Sequence, residues 1–183
     1  MTTGLLQRTF PTEVAAAIDN YPPGRQASAV LPLLYLAQAA YGRVTADAVV
    51  EVATLLEIDE TRVRGIVGFY SLFKEEPHGR FVVHYCTDLP CMLRGAGELL
   101  PDVCRAFGAE PGQTSEDGLF SLEEAMCLAA CDRAPMMQVN LEYFHDLSPE
   151  RLDEIVADLR AKAAAGPAAP FGLGPPSEIV RPD

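Results

Sequence analysis

Cations are scarce in this 183-residue chain: 14 Lys and Arg stand against 26 Asp and Glu, giving a formal charge of −12 and a pI near 4.6. Binding a phosphate backbone relies on clustered Lys and Arg, so the balance argues against a nucleic-acid partner and favours protein partners. Long apolar runs are missing too. The longest, Ala27 to Tyr41, is broken by Ser28, Pro32 and Gln38 and falls short of a membrane span. With 49% hydrophobic residues the chain can build a core, and it is expected to be soluble with no direct membrane insertion. There is no repeat and no P-loop, and Gly95-Ala-Gly97-Glu-Leu-Leu lacks the third glycine of a dinucleotide fingerprint. The opening residues, Met1-Thr-Thr-Gly-Leu-Leu-Gln-Arg, do not resemble a signal peptide, which predicts a reducing compartment and argues against structural disulfides. No serine or cysteine nucleophile can be assigned.

What the chain does have is five cysteines, four of them in two tight pairs. Cys86-Thr-Asp-Leu-Pro-Cys91 and Cys127-Leu-Ala-Ala-Cys131 are separated by thirty-five residues. Four thiolates from two short loops match an iron–sulfur cluster or a structural zinc ion, because each metal takes sulfur tetrahedrally. Structural zinc sites usually pair cysteines two to four residues apart, and four-residue spacing also occurs in plant-type [2Fe–2S] ferredoxins, so spacing alone leaves both metals open. Cys104 reads differently. Leu100, Val103, Cys104 and Phe107 recur at the spacing of one helix face, which predicts that Cys104 packs against a core. His84, two residues before Cys86, raises Rieske-type mixed ligation, but four cysteines already fill the shell and His84 fits a strand pattern. His78 and His145 read as surface or turn residues.

Along the chain, the first seventy or so residues predict a helical bundle. Pro11 begins a short amphipathic helix with Val14 and Ile18, ended by Tyr21-Pro-Pro-Gly24. A second helix spans about Ser28 to Tyr41, with Pro32 in its first turn or at a kink and Gly42 closing it. Thr45 caps a third, faced by Val49, Val52, Ala53 and Leu56. Asp59 or Thr61 caps a fourth, faced by Val63, Ile66, Val67 and Tyr70, with Gly65 and Gly68 open to close approach by another backbone. From Gly79 the pattern changes. Arg80 to Tyr85 predicts a strand that runs into the first cysteine pair, and a helix follows from Met92 to Phe107, bent or divided at Pro101. A turn at Glu116-Asp-Gly118 precedes a second strand, Leu119 to Met126, that delivers the second pair. Met136 to Asn140 and Tyr143 to Phe144 predict a hairpin. Ser148 and Pro149 then start a helix that buries Leu152, Ile155, Val156 and Leu159. The order strand, helix, strand, strand, helix suits a small thioredoxin-like sandwich with both cysteine loops at the same edge. The Ala-, Gly- and Pro-rich tail is expected to form an extended arm.

The motifs Cys86-Thr-Asp-Leu-Pro-Cys91-Met-Leu-Arg94-Gly95, Asp117-Gly-Leu-Phe-Ser-Leu-Glu and Cys127-x-x-x-Cys131-Asp-Arg-Ala-Pro135-Met-Met-Gln-Val-Asn140 closely resemble the 24-kDa-type subunit of respiratory complex I. Gly65-Ile-Val-Gly-Phe69-Tyr70-Ser71 is similar to the same family's pattern, and the matches run in order over roughly residues 10 to 160. The resemblance implies an α/β (α+β) chain with an N-terminal helical domain, residues 1–75, and a thioredoxin-like [2Fe–2S] ferredoxin domain, residues 76–165, followed by a tail, residues 166–183. It implies one [2Fe–2S] cluster held by Cys86, Cys91, Cys127 and Cys131, in an electron-transfer subunit that does not complete an enzyme alone. FMN and NADH are implied on the partner subunit and not on this chain. A further iron–sulfur subunit of the peripheral arm is a second implied partner, and the cytoplasmic side of the inner membrane the implied location. The implied role is an electron reservoir or a tuner of the flavin's lifetime, close to the flavin but off the main path to quinone. Soluble NAD-dependent hydrogenases and formate dehydrogenases have related diaphorase subunits, and a zinc-stapled interaction module is the reading from a different class. Asp88 and Asp132 beside the ligands would lower a cluster's potential and Arg94 and Arg133 would oppose them, unless all four are solvated loop charges. The chain departs from the family at Ala129, where glycine is usual; a positive φ there would be strained.

Overall fold

The computed structural model describes residues 4–165, which form two compact units, residues 4–77 and residues 78–165. The expected extended arm lies outside the described residues.

The first unit is helical throughout, with five α-helices: α1 (Leu5–Thr9), α2 (Pro11–Asp19), α3 (Val30–Tyr41), α4 (Ala46–Leu56) and α5 (Glu60–Phe69). Helix α1 was not legible in the sequence because it is too short to show a period. It owes its place to Glu51, whose carboxylate accepts from the backbone N–H groups of Leu6 and Gln7 at 3.0 and 2.9 Å, while Leu6 is fully buried. A 3-10 turn, Gln26–Ala29, leads into α3, so Pro32 falls in the first turn of the α-helix, where its missing N–H costs nothing. Thr45 and Asp59 cap α4 and α5 through their side chains, as their types predict. The faces of α4 and α5 meet in a core that includes Val49, Val52, Leu56, Val63 and Val67. Two expectations for α5 fail. Tyr70 ends the helix exposed, and among the described residues no backbone stands against Gly65 or Gly68.

The second unit carries a five-stranded sheet in the order β2-β3-β1-β4-β5, where β1 is Phe81–Cys86, β2 Gln113–Thr114, β3 Phe120–Ala125, β4 Met137–Val139 and β5 Glu142–Phe144. The central pair, β1 and β3, is parallel, and every other pairing is antiparallel. The segment from Met92 to Phe107 does divide, but not at Pro101. Gly95, with φ 89, separates α6 (Leu89–Leu93) from α7 (Ala96–Phe107), and Pro101 sits inside α7 on its exposed side. Leu99, Val103 and Phe107 of α7 join Leu152, Ile155 and Leu159 of α8 (Pro149–Ala164) in one core with Phe81, Val83, Tyr85, Phe120 and Leu122 of the central strands. Burying six such side chains of helix at roughly 1.5–3 kcal/mol each outweighs the roughly 3 kcal/mol that an interior proline costs. Ser148 accepts from the Arg151 N–H and Pro149 follows at the first helical position, so the expected start of α8 is met. The mixed sheet with helices on its core face is the α/β sandwich read from the sequence.

Candidate metal centre

The parallel pairing of β1 and β3 builds the site. Cys86 stands opposite Ala125 in the register, so the chain leaves both strands at the same end of the sheet, into Thr87-Asp88 on one side and Met126-Cys127 on the other. The ladder continues one step further, with the Thr87 N–H donating to the Ala125 carbonyl at 2.9 Å, and the Cys86 N–H donates to the Met136 carbonyl at 3.2 Å. Asp88 and Pro90 then start α6, a single turn that places Cys91 on its inner side. Tyr85 anchors the start of α7, just beyond this turn, because its hydroxyl donates to the Ala96 carbonyl at 2.8 Å. Burial pushes the Tyr85 phenol far above its usual range, helped by Cys91, Cys86 and Glu98, so it stays a protonated donor.

The second loop is held by its own device. Cys131 opens a 3-10 turn, Cys131–Arg133, and the Arg133 guanidinium donates to Asp146 Oδ2 through Nε at 3.1 Å and Nη2 at 2.9 Å. Asp146 answers by donating its backbone N–H to the Arg133 carbonyl at 3.0 Å. Arg133 therefore braces the loop. Between the cysteines, Ala129 has φ 64, in the left-handed region, and its N–H donates to Cys127 Sγ at 3.4 Å. The position that is usually glycine in the resembled family does need positive φ here.

The four sulfurs fall into two pairs. Cys86 and Cys91 are buried, whereas Cys127 and Cys131 are exposed with their Sγ atoms 3.4 Å apart. Two sulfurs bound tetrahedrally to one metal at about 2.3 Å would lie about 3.7 Å apart, close to that separation. Burial pushes the Cys91 thiol up to about 11, together with its hydrogen bond to Cys86 and the charges of Cys86 and Cys131, while a backbone hydrogen bond from Met136 pulls the other way. Cys131 is also raised, first by its hydrogen bond with Cys127, then by desolvation and by Cys127, Cys86 and Asp88. Each pair feels the other across the two loops. Without a cation such mutual repulsion keeps thiols protonated; a bound cation would relieve it. Among the described residues no group of three or more His, Cys, Asp or Glu side chains is gathered closely enough to hold a metal ion as it stands. A [2Fe–2S] cluster asks for two protein ligands on each iron, and two sulfur pairs supply that.

The remaining candidates separate from this group. His84 pairs with Glu123 across the β1–β3 ladder, Nε2 to Oε2 at 3.3 Å, although neither ring nitrogen has a well-aligned hydrogen bond. Cys104 is half-buried and packs against the core, as its helix face predicts; burial and a hydrogen bond with Glu110 raise its thiol. Asp88 stands at the N-cap of α6 and near Cys131, while Arg94 and Asp132 are exposed. Loop backbone N–H groups are the donors that thiolate sulfurs call for, and Ala129 supplies one. The Arg133–Asp146 brace was missed, and nothing in the sequence pattern signalled it.

The chain is similar to several known proteins. One NADH-quinone oxidoreductase subunit of Rhizobium meliloti is 37% identical over 167 residues, covering 87% of this chain and 98% of that protein. "NADH-quinone oxidoreductase subunit 2" of Thermus thermophilus is 37% identical over 143 residues, covering 78% of this chain and 79% of that protein. A solved NAD+-reducing [NiFe]-hydrogenase in the air-oxidized state shares the fold with a TM-score of 0.60 at 23% identity, over 78% of this chain and 25% of the hydrogenase chain. This chain thus spans about a quarter of the hydrogenase chain it matches. The family profile described as thioredoxin-like [2Fe-2S] ferredoxin matches residues 14–160, and the chain belongs to that family.

Proposed function

We propose that this chain is the electron-transfer subunit of an NADH:quinone oxidoreductase, holding one [2Fe–2S] cluster through Cys86, Cys91, Cys127 and Cys131. The observation that carries the reading is the delivery of two sulfur pairs, one buried and one exposed, from the adjacent ends of parallel β1 and β3. When bound, such a cluster supplies one-electron exchange. The chain's own part is to fix the ligands. Strand β1 and α6 set the buried pair, the Ala129 N–H donates to an outer sulfur, and the Arg133–Asp146 brace holds the turn that carries Cys131.

The partner in this reading is the subunit that carries FMN and binds NADH, with a further iron–sulfur subunit alongside. An apolar rim at the mouth of the site supports a docked partner: Leu89, Met92 and Leu93 on α6 and Met126 beside Cys127 are all exposed, Leu93 by 78% and Met126 by 75%. Among the described residues no helix is long and apolar enough to cross a membrane, in keeping with a peripheral place on the cytoplasmic side of a membrane complex. The diaphorase subunit of a soluble hydrogenase is the second reading, favoured by the shared fold of the NAD+-reducing hydrogenase. Mixing the cluster-loaded chain with the flavin subunit of either complex and adding NADH separates the two. Reduction of the cluster that depends on the quinone-reductase flavin subunit supports the proposal; reduction by NADH with no flavin subunit present would sink it.

A further inference from the structure

The two pairs differ in access: Cys86 and Cys91 are buried, and Cys127 and Cys131 are exposed at a Sγ–Sγ separation of 3.4 Å. The exposed sulfurs need to approach by only a little over 1 Å to reach the roughly 2.05 Å of a disulfide, within a loop of three intervening residues whose centre, Ala129, is itself exposed. We propose that, when the chain holds no metal, Cys127 and Cys131 close into a reversible disulfide by exchange with a small-molecule disulfide, which makes the outer loop a redox-gated entry for loading the centre.

The exchange balances without any further reactant. One thiolate of the pair attacks a sulfur of the small disulfide, forming a mixed disulfide and releasing one thiol. The other thiolate then attacks the protein sulfur of that mixed bond, forming Cys127–Cys131 and releasing the second thiol. The two protein thiols are oxidised, the small disulfide is reduced to two thiols, and the two protons leave with them. The buried pair is sheltered from this chemistry because the small disulfide must come within reach of the attacking thiolate, with its S–S bond in line. Cys86 and Cys91 therefore remain free as the inner half of the site, while closure withholds the outer half. The gate rests on reading all four cysteines as ligands; the exchange itself does not.

The test uses the full chain stripped of metal and treated with oxidised glutathione, followed by alkylation, peptide mapping by mass, and loading with ferrous iron and sulfide. The expected product is a peptide lighter by two hydrogens with Cys127 joined to Cys131. Cys86 and Cys91 should react at least about tenfold more slowly. Loading should fall at least about tenfold and recover fully with a dithiol reductant. C104S should behave identically, and C127S should stop at a mixed disulfide on Cys131. Thiols left unchanged in the outer loop, a mixed disulfide that persists in the unsubstituted chain, or a bond formed first between Cys86 and Cys91 or across the loops would each overturn the exchange. A Cys127–Cys131 disulfide that leaves loading unchanged would instead overturn the gate, and with it the ligand reading.

Discussion

The backbone N–H of Ala129 donates to Cys127 Sγ at 3.4 Å from a left-handed conformation, φ 64, that alanine adopts at a cost. A left-handed L-residue is worse by roughly 1–2 kcal/mol, whereas glycine returns about 0.4–1 kcal/mol to the unfolded chain as entropy. Strain wins by a small margin. Ala129→Gly is expected to raise the melting temperature of the chain by about 2–4 °C and to leave metal content unchanged. Ala129→Val, β-branched at a positive φ, should lower both. Thermal unfolding beside an iron assay reads the pair, and a glycine variant that melts lower would show that the methyl packs usefully instead.

Replacing the cysteines one at a time by serine sorts them. Loss of cluster is expected for Cys86, Cys91, Cys127 and Cys131, with a further stability loss of about 1–3 kcal/mol at the two buried positions, where a hydroxyl would be buried in place of a thiol. Cys104→Ser should keep full iron content. Visible absorbance and denaturant unfolding check both halves; an intact cluster in any of the first four variants contradicts the ligand set.

One source of acid sensitivity in the second unit is Asp117. Asp117 is held down to about 2 by hydrogen bonds from the Ser115 hydroxyl, from Arg160 at 2.6 Å and from the Leu119 N–H. Because the folded value lies below the ordinary carboxylate value, the contribution is complete above about pH 4 and is lost as pH falls toward 2. The pair is substantially solvent-exposed, so screening limits the effect to about 1 kcal/mol or less. Asp117→Asn should flatten the stability profile between pH 4 and 2, as read by melting temperature across that window. An unchanged slope would place the acid response elsewhere.

How much of this was legible in the sequence depended on the range of the determinant. Caps at Thr45, Asp59 and Ser148 are local side-chain-to-backbone contacts, and the residue types announced them. Helix α7 carries Pro101 in its interior because the core supplied by α8 and the sheet holds it, and the break falls at Gly95 where backbone freedom is greatest. The cysteine pairs were visible as spacing. Their convergence was legible only coarsely, as two loops at one edge of a sandwich; the placing of Cys86 opposite Ala125 was not, since it follows from the parallel register of β1 and β3, segments about forty residues apart. Cys104 shows what periodicity can reach: half-buried on the predicted face of α7, it packs against the core as its spacing indicates.

Arg133 should matter to metal retention more than to folding. Its contacts to Asp146 are exposed, so Arg133→Ala is expected to cost no more than about 1 kcal/mol of stability. Freed of that brace, the turn carrying Cys131 should give up iron to a chelator several-fold faster. Chelator kinetics against melting temperature separate the two effects, and equal losses in both would mean that Arg133 is merely structural.

Leu93 and Met126 test the rim. Leu93→Asp and Met126→Asp should retain the cluster and weaken association with the flavin subunit by at least about tenfold, because each puts a charge into an apolar contact. Binding measured with cluster-loaded chain reads this directly, and unchanged affinity for both variants would move the docking face elsewhere.

The central claim is that four cysteines hold two irons. Anaerobically purified chain, analysed for iron, sulfide and zinc and examined by electron paramagnetic resonance after chemical reduction, addresses it most directly. The account requires two irons and two sulfides per chain and a one-electron signal that appears on reduction and vanishes in Cys127→Ser. A colourless chain with one zinc ion and no signal would contradict it.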